Sequence, residues 1–180
     1  MKRYTNIYKA LFAGSLIFWI CSCASKPVIT LPPDYAYGER AIRLHLRSDP
    51  QLNRYDGKPH TLVLCSYQLR DPNSFNQLLE EKEGLSKLLE CSRFDPSVTH
   101  SKRWIIHPGK EVTEILDRFE GTKYLGVVAG YYDLHRENAV RFFKIPVSEE
   151  KKDKTIMMKV EKLDLDLYLA PQQIQEIRGK

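Results

Sequence analysis

The sequence predicts a mainly β fold, a two-layer β-sandwich with a short helical excursion after its second strand. Residues 41–47 alternate between apolar and polar side chains from Ile42 onward, which is typical of a half-buried strand. Several more short apolar segments follow, and turn-forming residues separate them, as in β-sandwiches. Between residues 73 and 89, apolar residues instead recur at helical spacing, which indicates the excursion.

The first strand is predicted over residues 41–47. Successive side chains of a strand point to opposite faces, so one set is expected in the core and the other in water. The expected core set is Ile42, Leu44 and Leu46, and the expected solvent-facing set is Arg43, His45 and Arg47. His45 is therefore interpreted as an ordinary surface residue of the strand.

A long loop at residues 48–58 follows the first strand. It contains Asp, Pro, Asn and Gly, which favour turns. Leu52 and Tyr55 are expected to be exposed in this loop. Apolar side chains at a loop tip are either pinned to their own sheet or available to a partner, and the residues alone leave both interpretations open.

The second strand is predicted over residues 61–69, and the helical excursion follows a turn at residues 71–73. Ser74 is expected to cap the first helix. Glu83-Gly84 is expected to divide the excursion into two short helices. The apolar residues at helical spacing are Phe75, Leu78, Leu79, Leu85, Leu88 and Leu89.

Residues 124–132 are predicted to form the most apolar strand of the domain. Strands at 103–107 and 111–119 precede it, and 120–123 is expected to be a hairpin turn. Two glycines on one face of a strand indicate close packing by another element, and we expect the helical excursion to cover that face. One face holds Leu125, Val127, Ala129 and Tyr131, and the other holds Gly126, Val128 and Gly130.

Three further strands are predicted, one at 140–145 and two within 155–169. A charged link at 149–154 is expected between them. The tail from Ala170 is expected to be a short helix or frayed, and the prolines of residues 25–38 predict an extended, solvated lead. The leucines expected in the core near the end of the chain are Leu163, Leu165, Leu167 and Leu169.

The N-terminus has the pattern of a bacterial lipoprotein signal. Basic residues precede an apolar run at 10–20, which is too short for a good permanent membrane span. Ile20-Cys21-Ser22-Cys23 resembles a lipobox, so cleavage is expected before Cys23 and acyl chains such as palmitate on Cys23. Two or more acyl chains hold a protein firmly in a membrane. Ala24 stands where an aspartate would favour the inner membrane, so the outer membrane is the expected location.

The predicted organisation is a signal peptide (1–22), a lipidated cysteine and tether (23–40), a β-sandwich domain (41–170) and a C-terminal tail (171–180). The net charge of +5 owes much to three basic residues of the signal. The mature part is nearly neutral, so nucleic-acid binding has no support. Cys65 and Cys91 remain in an oxidising compartment, where a disulfide between them is expected rather than a catalytic role.

No catalytic or metal-binding motif is recognisable. The five histidines are scattered without metal-ligand spacing, and the sequence has no nucleophile elbow, phosphate-binding glycine loop or dinucleotide fingerprint. Asp133 and His135 are close in sequence, but such a spacing recurs by chance in loops, so it does not indicate a catalytic pair. Tyr131-Tyr132 could form a sugar platform, but one residue of such a pair normally lies in the core. The sequence predicts a protein that is not an enzyme, with no metal and no cofactor besides its covalent lipid.

An ordered set of motifs between residues 41 and 146, together with the lipobox, indicates a family. The motifs are Leu52-Asn53 with Gly57 and Pro59, Tyr67-Gln68-Leu69, Phe75, Trp104 with Pro108-Gly109, Leu125-Gly126-Val127-Val128-Ala129, Tyr131-Tyr132-Asp133 and Phe143-Lys144. In this order they resemble the outer-membrane lipoprotein of the type VI secretion system, the TssJ family (also VasD or Lip). Residues after Lys151 match only as generic strands.

The resemblance implies a transthyretin-like β-sandwich that belongs to a trans-envelope complex. It implies that the domain binds the periplasmic domain of an inner-membrane TssM-type component and tethers the complex to the outer membrane. The loop between the first two strands is the implied contact, which assigns Leu52 and Tyr55 to partner binding. The implied contact residues are Gln51, Leu52, Asn53, Arg54, Tyr55 and Asp56.

The chain departs from the family pattern at two places. The proline expected after Leu52-Asn53 is absent, and Cys65 and Cys91 are not family hallmarks. Two other functions are also compatible with the sequence: a periplasmic lipoprotein that binds a ligand or glycan on its sandwich, and a lipoprotein of another envelope machine. Under the family interpretation, neither a nucleic-acid partner nor a small-molecule substrate is expected.

Overall fold

The structure, a computed structural model, describes residues 29–152 and 155–177. This part of the chain forms eleven strands and three short helices. The strands are β1 (Ile29–Leu31), β2 (Gly38–Ser48), β3 (Leu62–Leu69), β4 (Val98–Ile106), β5 (Glu111–Arg118), β6 (Tyr124–Ala129), β7 (Val140–Lys144), β8 (Val147–Lys152), β9 (Thr155–Val160), β10 (Leu163–Leu169) and β11 (Ile174–Glu176). The helices are α1 (Asn73–Glu80), α2 (Gly84–Leu88) and α3 (Arg136–Ala139).

Two four-stranded sheets enclose an apolar core. The β2 sheet has the strand order β11-β10-β2-β5, and the β3 sheet has the order β4-β3-β6-β7. β2 and β10 are parallel, whereas the other neighbours within these two sheets are antiparallel. The predicted mainly β sandwich is confirmed, and α1 and α2 form the predicted helical excursion between β3 and β4.

The alternating pattern of β2 and β10 determines which of their side chains enter the core. Ile42, Leu44 and Leu46 are buried, as predicted, and the four leucines of β10 are buried with them. They share one cluster with Leu125 and Val127 of β6. Full burial of one such side chain contributes about 1.5–3 kcal/mol, so this cluster is a main source of stability.

The opposite face of β6 is covered by the helical excursion, as predicted. Val128 lies in a second apolar cluster with Phe75 and Leu88. A Cβ atom at Gly126 would lie 2.8 Å from the Phe75 ring, which is closer than packed atoms approach. The absence of a side chain at Gly126 therefore allows Phe75 to pack directly on the strand.

The excursion divides at Glu83-Gly84, as predicted, but its first helix begins differently from the prediction. Ser74 is not the cap, because α1 begins after Pro72, and the Asp71 carboxylate accepts the Asn73 N–H. An aspartate that accepts the N–H two residues on forms an Asx turn, which orders the helix start. A disulfide joins Cys65 of β3 to Cys91 after α2, with 5.2 Å between their Cα atoms.

The turn at residues 120–123 is not the predicted hairpin. β5 pairs with β2, whereas β6 pairs with β3, so the turn carries the chain from one sheet to the other. The Gln68 side chain supports this crossing, because it donates to the Asp117 carbonyl and accepts the Phe119 N–H. Local turn chemistry is the same in both arrangements, and only the pairing partners distinguish them.

The lead and the charged link form more regular structure than predicted. β1 pairs with β9 and β8 pairs with β9, so these strands form a small sheet with the order β1-β9-β8. Most of residues 30–38 are exposed, as predicted for a solvated lead, but the lead is not free, because β1 is paired. Tyr35 packs on the core, and Arg118 donates to the Ala36 carbonyl. Strand pairing supplies hydrogen-bond partners for backbone groups that we had expected, from composition alone, to bind water.

The tail also contains a strand rather than the predicted helix or frayed end. β11 pairs with β10, and Ile174 is completely buried. β10 would otherwise present an unpaired backbone edge, and β11 covers part of it. The lipidation residue Cys23 and the signal peptide lie outside the described residues.

Candidate partner-binding site

The loop at residues 49–61, here the β2–β3 loop, begins with a turn that Asp49 stabilises. The Asp49 carbonyl accepts the Leu52 N–H at 2.9 Å, and its carboxylate accepts the Gln51 N–H at 2.6 Å. The same carboxylate accepts the Tyr168 hydroxyl of β10, and this hydrogen bond raises the pKa of Tyr168. The start of the loop is thereby fixed to the end of the sandwich.

Leu52 and Asn53 support the loop from within. Leu52 is completely buried in the main core, so its predicted exposure is wrong. Asn53 is 5% exposed, and its amide donates to the Thr61 carbonyl and accepts the Tyr132 N–H, both at 2.9 Å. The loop folds back onto the sandwich, because burying the apolar Leu52 side chain is more favourable than exposing it to water.

Tyr55, His60 and Tyr132 form a cluster of rings, here called the aromatic platform. The Tyr55 and Tyr132 rings are stacked with 4.5 Å between centroids, and the His60 ring meets Tyr132 edge-on at 5.2 Å. Both tyrosines are 57% exposed. Exposed tyrosines held in fixed positions are typical of binding hot spots, because they bury a large area at a low entropic cost.

The same loop exposes polar residues, which include Gln51, Arg54 and Asp56. The Arg54 N–H donates to the Pro171 carbonyl at 3.1 Å. Arg54 also borders a groove of about 540 Å³. The side-chain carboxamides that line this groove belong to Asn138, Gln172, Gln173 and Gln175. Carboxamides donate and accept hydrogen bonds, so the groove is chemically suited to a polypeptide backbone.

The sequence did not reveal Tyr132 and His60 as members of this surface. The interpretation that one residue of Tyr131-Tyr132 lies in the core is correct, because Tyr131 is 3% exposed. Adjacent residues of an extended segment point to opposite sides, so a buried Tyr131 leaves Tyr132 outside. That alternation was the only available signal, and nothing in it placed Tyr132 against Tyr55.

Histidine–carboxylate contacts occur elsewhere on the surface. His135 and Asp133 are 2.9 Å apart, and both side chains are more than half exposed. The His45 ring contacts Asp166 and Glu111 on the outer face of the β2 sheet. Within residues 29–152 and 155–177, no group of three or more His, Cys, Asp or Glu side chains is arranged to hold a metal ion.

No helix in the described part of the chain is both long and apolar enough to cross a membrane. The first described residue, Ile29, comes six residues after Cys23. The fold and the platform together define a small β-sandwich domain with an exposed aromatic patch at its β2–β3 loop.

Solved structures of similar fold come from type VI secretion systems. The chain is similar to the lipoprotein TssJ1 from Pseudomonas aeruginosa, with 23% identity, a TM-score of 0.57, and coverage of 83% of this chain and 99% of that chain. It is also similar to Serratia marcescens Lip, described as a membrane-bound component of the system. There the identity is 15% and the TM-score 0.55, over 76% of this chain and 96% of that chain.

A third similar chain comes from a structure described as the TssM C-terminal domain (869-1107) from EAEC. It has 16% identity and a TM-score of 0.56, over 77% of this chain and 98% of that chain. No curated protein matches. The sequence profile of the type VI secretion lipoprotein family (VasD, EvfM, TssJ) matches residues 40–163. The chain belongs to this family, which confirms the resemblance seen in the sequence; it is a family of secretion-system lipoproteins and not of enzymes.

Proposed function

We propose that this lipoprotein anchors a type VI secretion membrane complex to the outer membrane by binding the periplasmic domain of a TssM-type inner-membrane component. Family membership supports the secretion role. The likenesses to a chain described as the TssM C-terminal domain and to one described as a type VI membrane complex support the choice of partner. The observation that carries the binding site is the exposed Tyr55–Tyr132 stack.

The aromatic platform is suited to this role because it is fixed before any partner arrives. Asn53 links the Tyr132 backbone to Thr61, and the buried Leu52 side chain fixes the loop to the core. A preorganised surface spends less binding free energy on ordering its own side chains. Of the six predicted contact residues, Gln51, Arg54, Tyr55 and Asp56 are proposed to touch the partner, whereas Leu52 and Asn53 support them.

The anchor is proposed to be lipid on Cys23. Two or more acyl chains bind a bilayer firmly, so the domain would stay in a thin layer at the periplasmic face of the outer membrane. Confinement raises the effective concentration of the platform near a partner without any new contact. Ala24 after the lipidated cysteine supports the outer membrane as the location.

The binding site is tested by titrating the mature chain against the periplasmic domain of a TssM-type protein. Tyr55→Ala is expected to weaken binding about 30-fold or more, as loss of a hot-spot tyrosine does. Tyr37→Ala is the matched control, because Tyr37 is 56% exposed and precedes the opposite end of β2. Equal affinities of the two variants would place the interface elsewhere, and no binding by the unmodified chain would reject the proposed partner.

The anchor is tested by fractionating cells that express single cysteine variants. Cys23→Ser is expected to remove the protein from the outer-membrane fraction, because the acceptor of the lipid is lost. Cys21→Ser is the matched control and is expected to fractionate like the unmodified protein. Recovery of Cys23→Ser protein with outer membranes would contradict the assignment.

A further inference from the structure

The aromatic platform lies at one end of the β3 sheet, where three strands of that sheet begin or end. β3 begins at Leu62, two residues after His60 of the platform. β4 ends at the same place, because its last residue, Ile106, pairs with Leu62. β6 ends at Ala129, three residues before Tyr132 of the platform. A partner that covers the platform therefore also meets the ends of these strands.

Four residues near this end form an apolar area on the face of the β3 sheet that carries the helical excursion. This area, here called the outer patch, consists of Val63, Leu89, Ile105 and Gly130. Val63 is the cross-strand partner of Ile105, and its carbonyl accepts the Gly130 N–H at 2.8 Å. A Cβ atom at Gly130 would lie 3.4 Å from Leu89 and 3.6 Å from Val63. Ile105 is 50% exposed and the other three residues are partly exposed, so the patch is contiguous and open to solvent.

Ile105 differs in its surroundings from another exposed isoleucine of the sandwich. Ile115 of β5 is 45% exposed, but its cross-strand partner is Arg43. The residues two positions away from Ile115 on the same strand, Thr113 and Asp117, are also polar. Single exposed apolar side chains are common on protein surfaces, whereas contiguous ones mark interaction sites. The indication of binding is therefore the whole outer patch, and not the exposure of one isoleucine.

Arg103 places a positive charge beside the outer patch. It precedes Ile105 by two residues on β4, so both side chains lie on the same face of the sheet. Arg103 is exposed, and none of the ion pairs among residues 29–152 and 155–177 includes it. β4 is an edge strand, so a partner can approach it from the side. An exposed, unpaired guanidinium favours a partner that presents a carboxylate.

The aromatic platform is too small to be the whole contact. A tyrosine buries about 150–250 Å² when it is fully covered, so two tyrosines that are 57% exposed offer on the order of 200 Å². A stable protein–protein interface buries about 800 Å² on each partner. The partner must therefore cover neighbouring surface as well, and the outer patch is the apolar surface that adjoins the platform at the end of the β3 sheet.

We propose that the partner-binding surface continues from the aromatic platform onto the outer patch. The partner presents an apolar side chain against Ile105 and a carboxylate against Arg103. This inference rests on the proposed function, because the partner is the same TssM-type periplasmic domain. Since Gly130 has no side chain, the partner's apolar group can lie on its backbone between Val63 and Leu89. The outer patch adds specificity, because a partner must match the apolar and charged pattern of β4 as well as the platform.

The outer patch is tested by titrating isoleucine variants of the mature chain against the TssM-type periplasmic domain. Ile105→Asp is expected to weaken binding about fivefold or more, because a carboxylate would be buried without a partner in place of an apolar contact. Ile115→Asp is the matched control, an isoleucine of similar exposure on the other sheet, and is expected to bind like the unmodified chain. Ile105→Ala, which adds no charge, is expected to weaken binding in the same direction. Equal melting temperatures of the variants show that the fold is intact.

Charge variants test the carboxylate of the partner. Arg103→Glu is expected to weaken binding, most strongly at low salt, whereas Arg103→Lys is expected to retain most of the affinity. Unchanged affinity of Arg103→Glu overturns the carboxylate contact. Equal affinities of Ile105→Asp and Ile115→Asp, with Tyr55→Ala still weakened, overturn the outer patch and leave the proposed function intact. No binding by the unmodified chain rejects the proposed function, and this inference with it.

Discussion

One buried glutamine holds the two sheets together where the chain crosses between them. Gln68 is 1% exposed, and its amide donates to the Asp117 carbonyl and accepts from the Phe119 N–H and the Thr122 hydroxyl. A buried polar group left without its partner costs about 1–3 kcal/mol, so each of these bonds matters to the fold. The sequence shows only a polar residue within an apolar strand, because the partners come from a segment some fifty residues away.

His45 lies on the outer face of the β2 sheet, as interpreted, but neighbouring strands fix its ring. Nε2 is 2.7 Å from the Glu111 carboxylate of β5, and Nδ1 is 2.6 Å from the Asp166 carboxylate of β10. Arg43 on the same strand also approaches Asp166, at 3.7 Å. The hydrogen bonds to Glu111 and then to Asp166 raise the pKa of His45. The protonated ring thus links three strands.

The free energy of unfolding is expected to fall as pH rises through the raised pKa of His45. A group whose pKa is higher in the folded state stabilises fully below its unfolded pKa of about 6.5, and it loses that contribution above the folded pKa. The measurement compares melting temperatures of the unmodified chain and His45→Gln between about pH 5 and 9. The gap between them is expected to be largest at the acidic end. A gap independent of pH would show that the imidazolium does not stabilise the sheet.

At the scale of elements, the helical excursion packs more closely on Gly126 of β6 than on Gly130, just after β6 ends. Gly126 would place a Cβ 2.8 Å from the Phe75 ring, whereas Gly130 would place one 3.4 Å from the flexible end of Leu89. The excursion therefore requires a glycine at the first position and only favours a small residue at the second.

Gly126→Ala is expected to lower the free energy of unfolding by about 1–3 kcal/mol, because Phe75 must shift within a closely packed cluster. Gly130→Ala is the matched control, and its cost is expected to be well below that of Gly126→Ala. Urea unfolding curves of both variants give the comparison. Equal costs would indicate that α1 can move away from β6 without loss.

At the scale of the whole molecule, the disulfide stabilises the fold mainly by restricting the unfolded chain. The bond reduces the number of conformations that the unfolded chain can adopt. The sequence separation of 26 residues between Cys65 and Cys91 corresponds to a contribution of about 3.5 kcal/mol. Replacing both cysteines by alanine, or adding a reductant, is expected to lower the melting temperature of the mature chain. An unchanged melting temperature with two titratable thiols would show that the bond does not form in the protein as expressed.

The two ends of the molecule have different chemistry, and this division belongs to the whole fold. The end near the start of β2 carries the small sheet of β1, β9 and β8, whereas the end of β2 carries the aromatic platform. Under the proposed function, the chain is anchored through the segment that precedes β1, and the partner is bound at the aromatic platform.

The sequence by itself determined the core and the faces of its strands. Alternation placed Ile42, Leu44 and Leu46 inside, and Gly126 and Gly130 predicted the cover provided by the excursion. These features are local, since a strand repeats every two residues whatever lies beside it. The motif order was also sufficient to recognise the family.

Tertiary structure alone decided where distant segments meet. It buried Leu52 of the β2–β3 loop in the core, stacked Tyr55 on Tyr132, and paired the lead and the charged link with β9. Each outcome depends on which distant segment packs or pairs with the residue in question. Backbone N–H and C=O groups can pair with any strand whose register fits, so the local sequence does not select the partner. Composition therefore describes how polar a segment is, whereas its partners decide whether it becomes a loop, a strand or a binding surface.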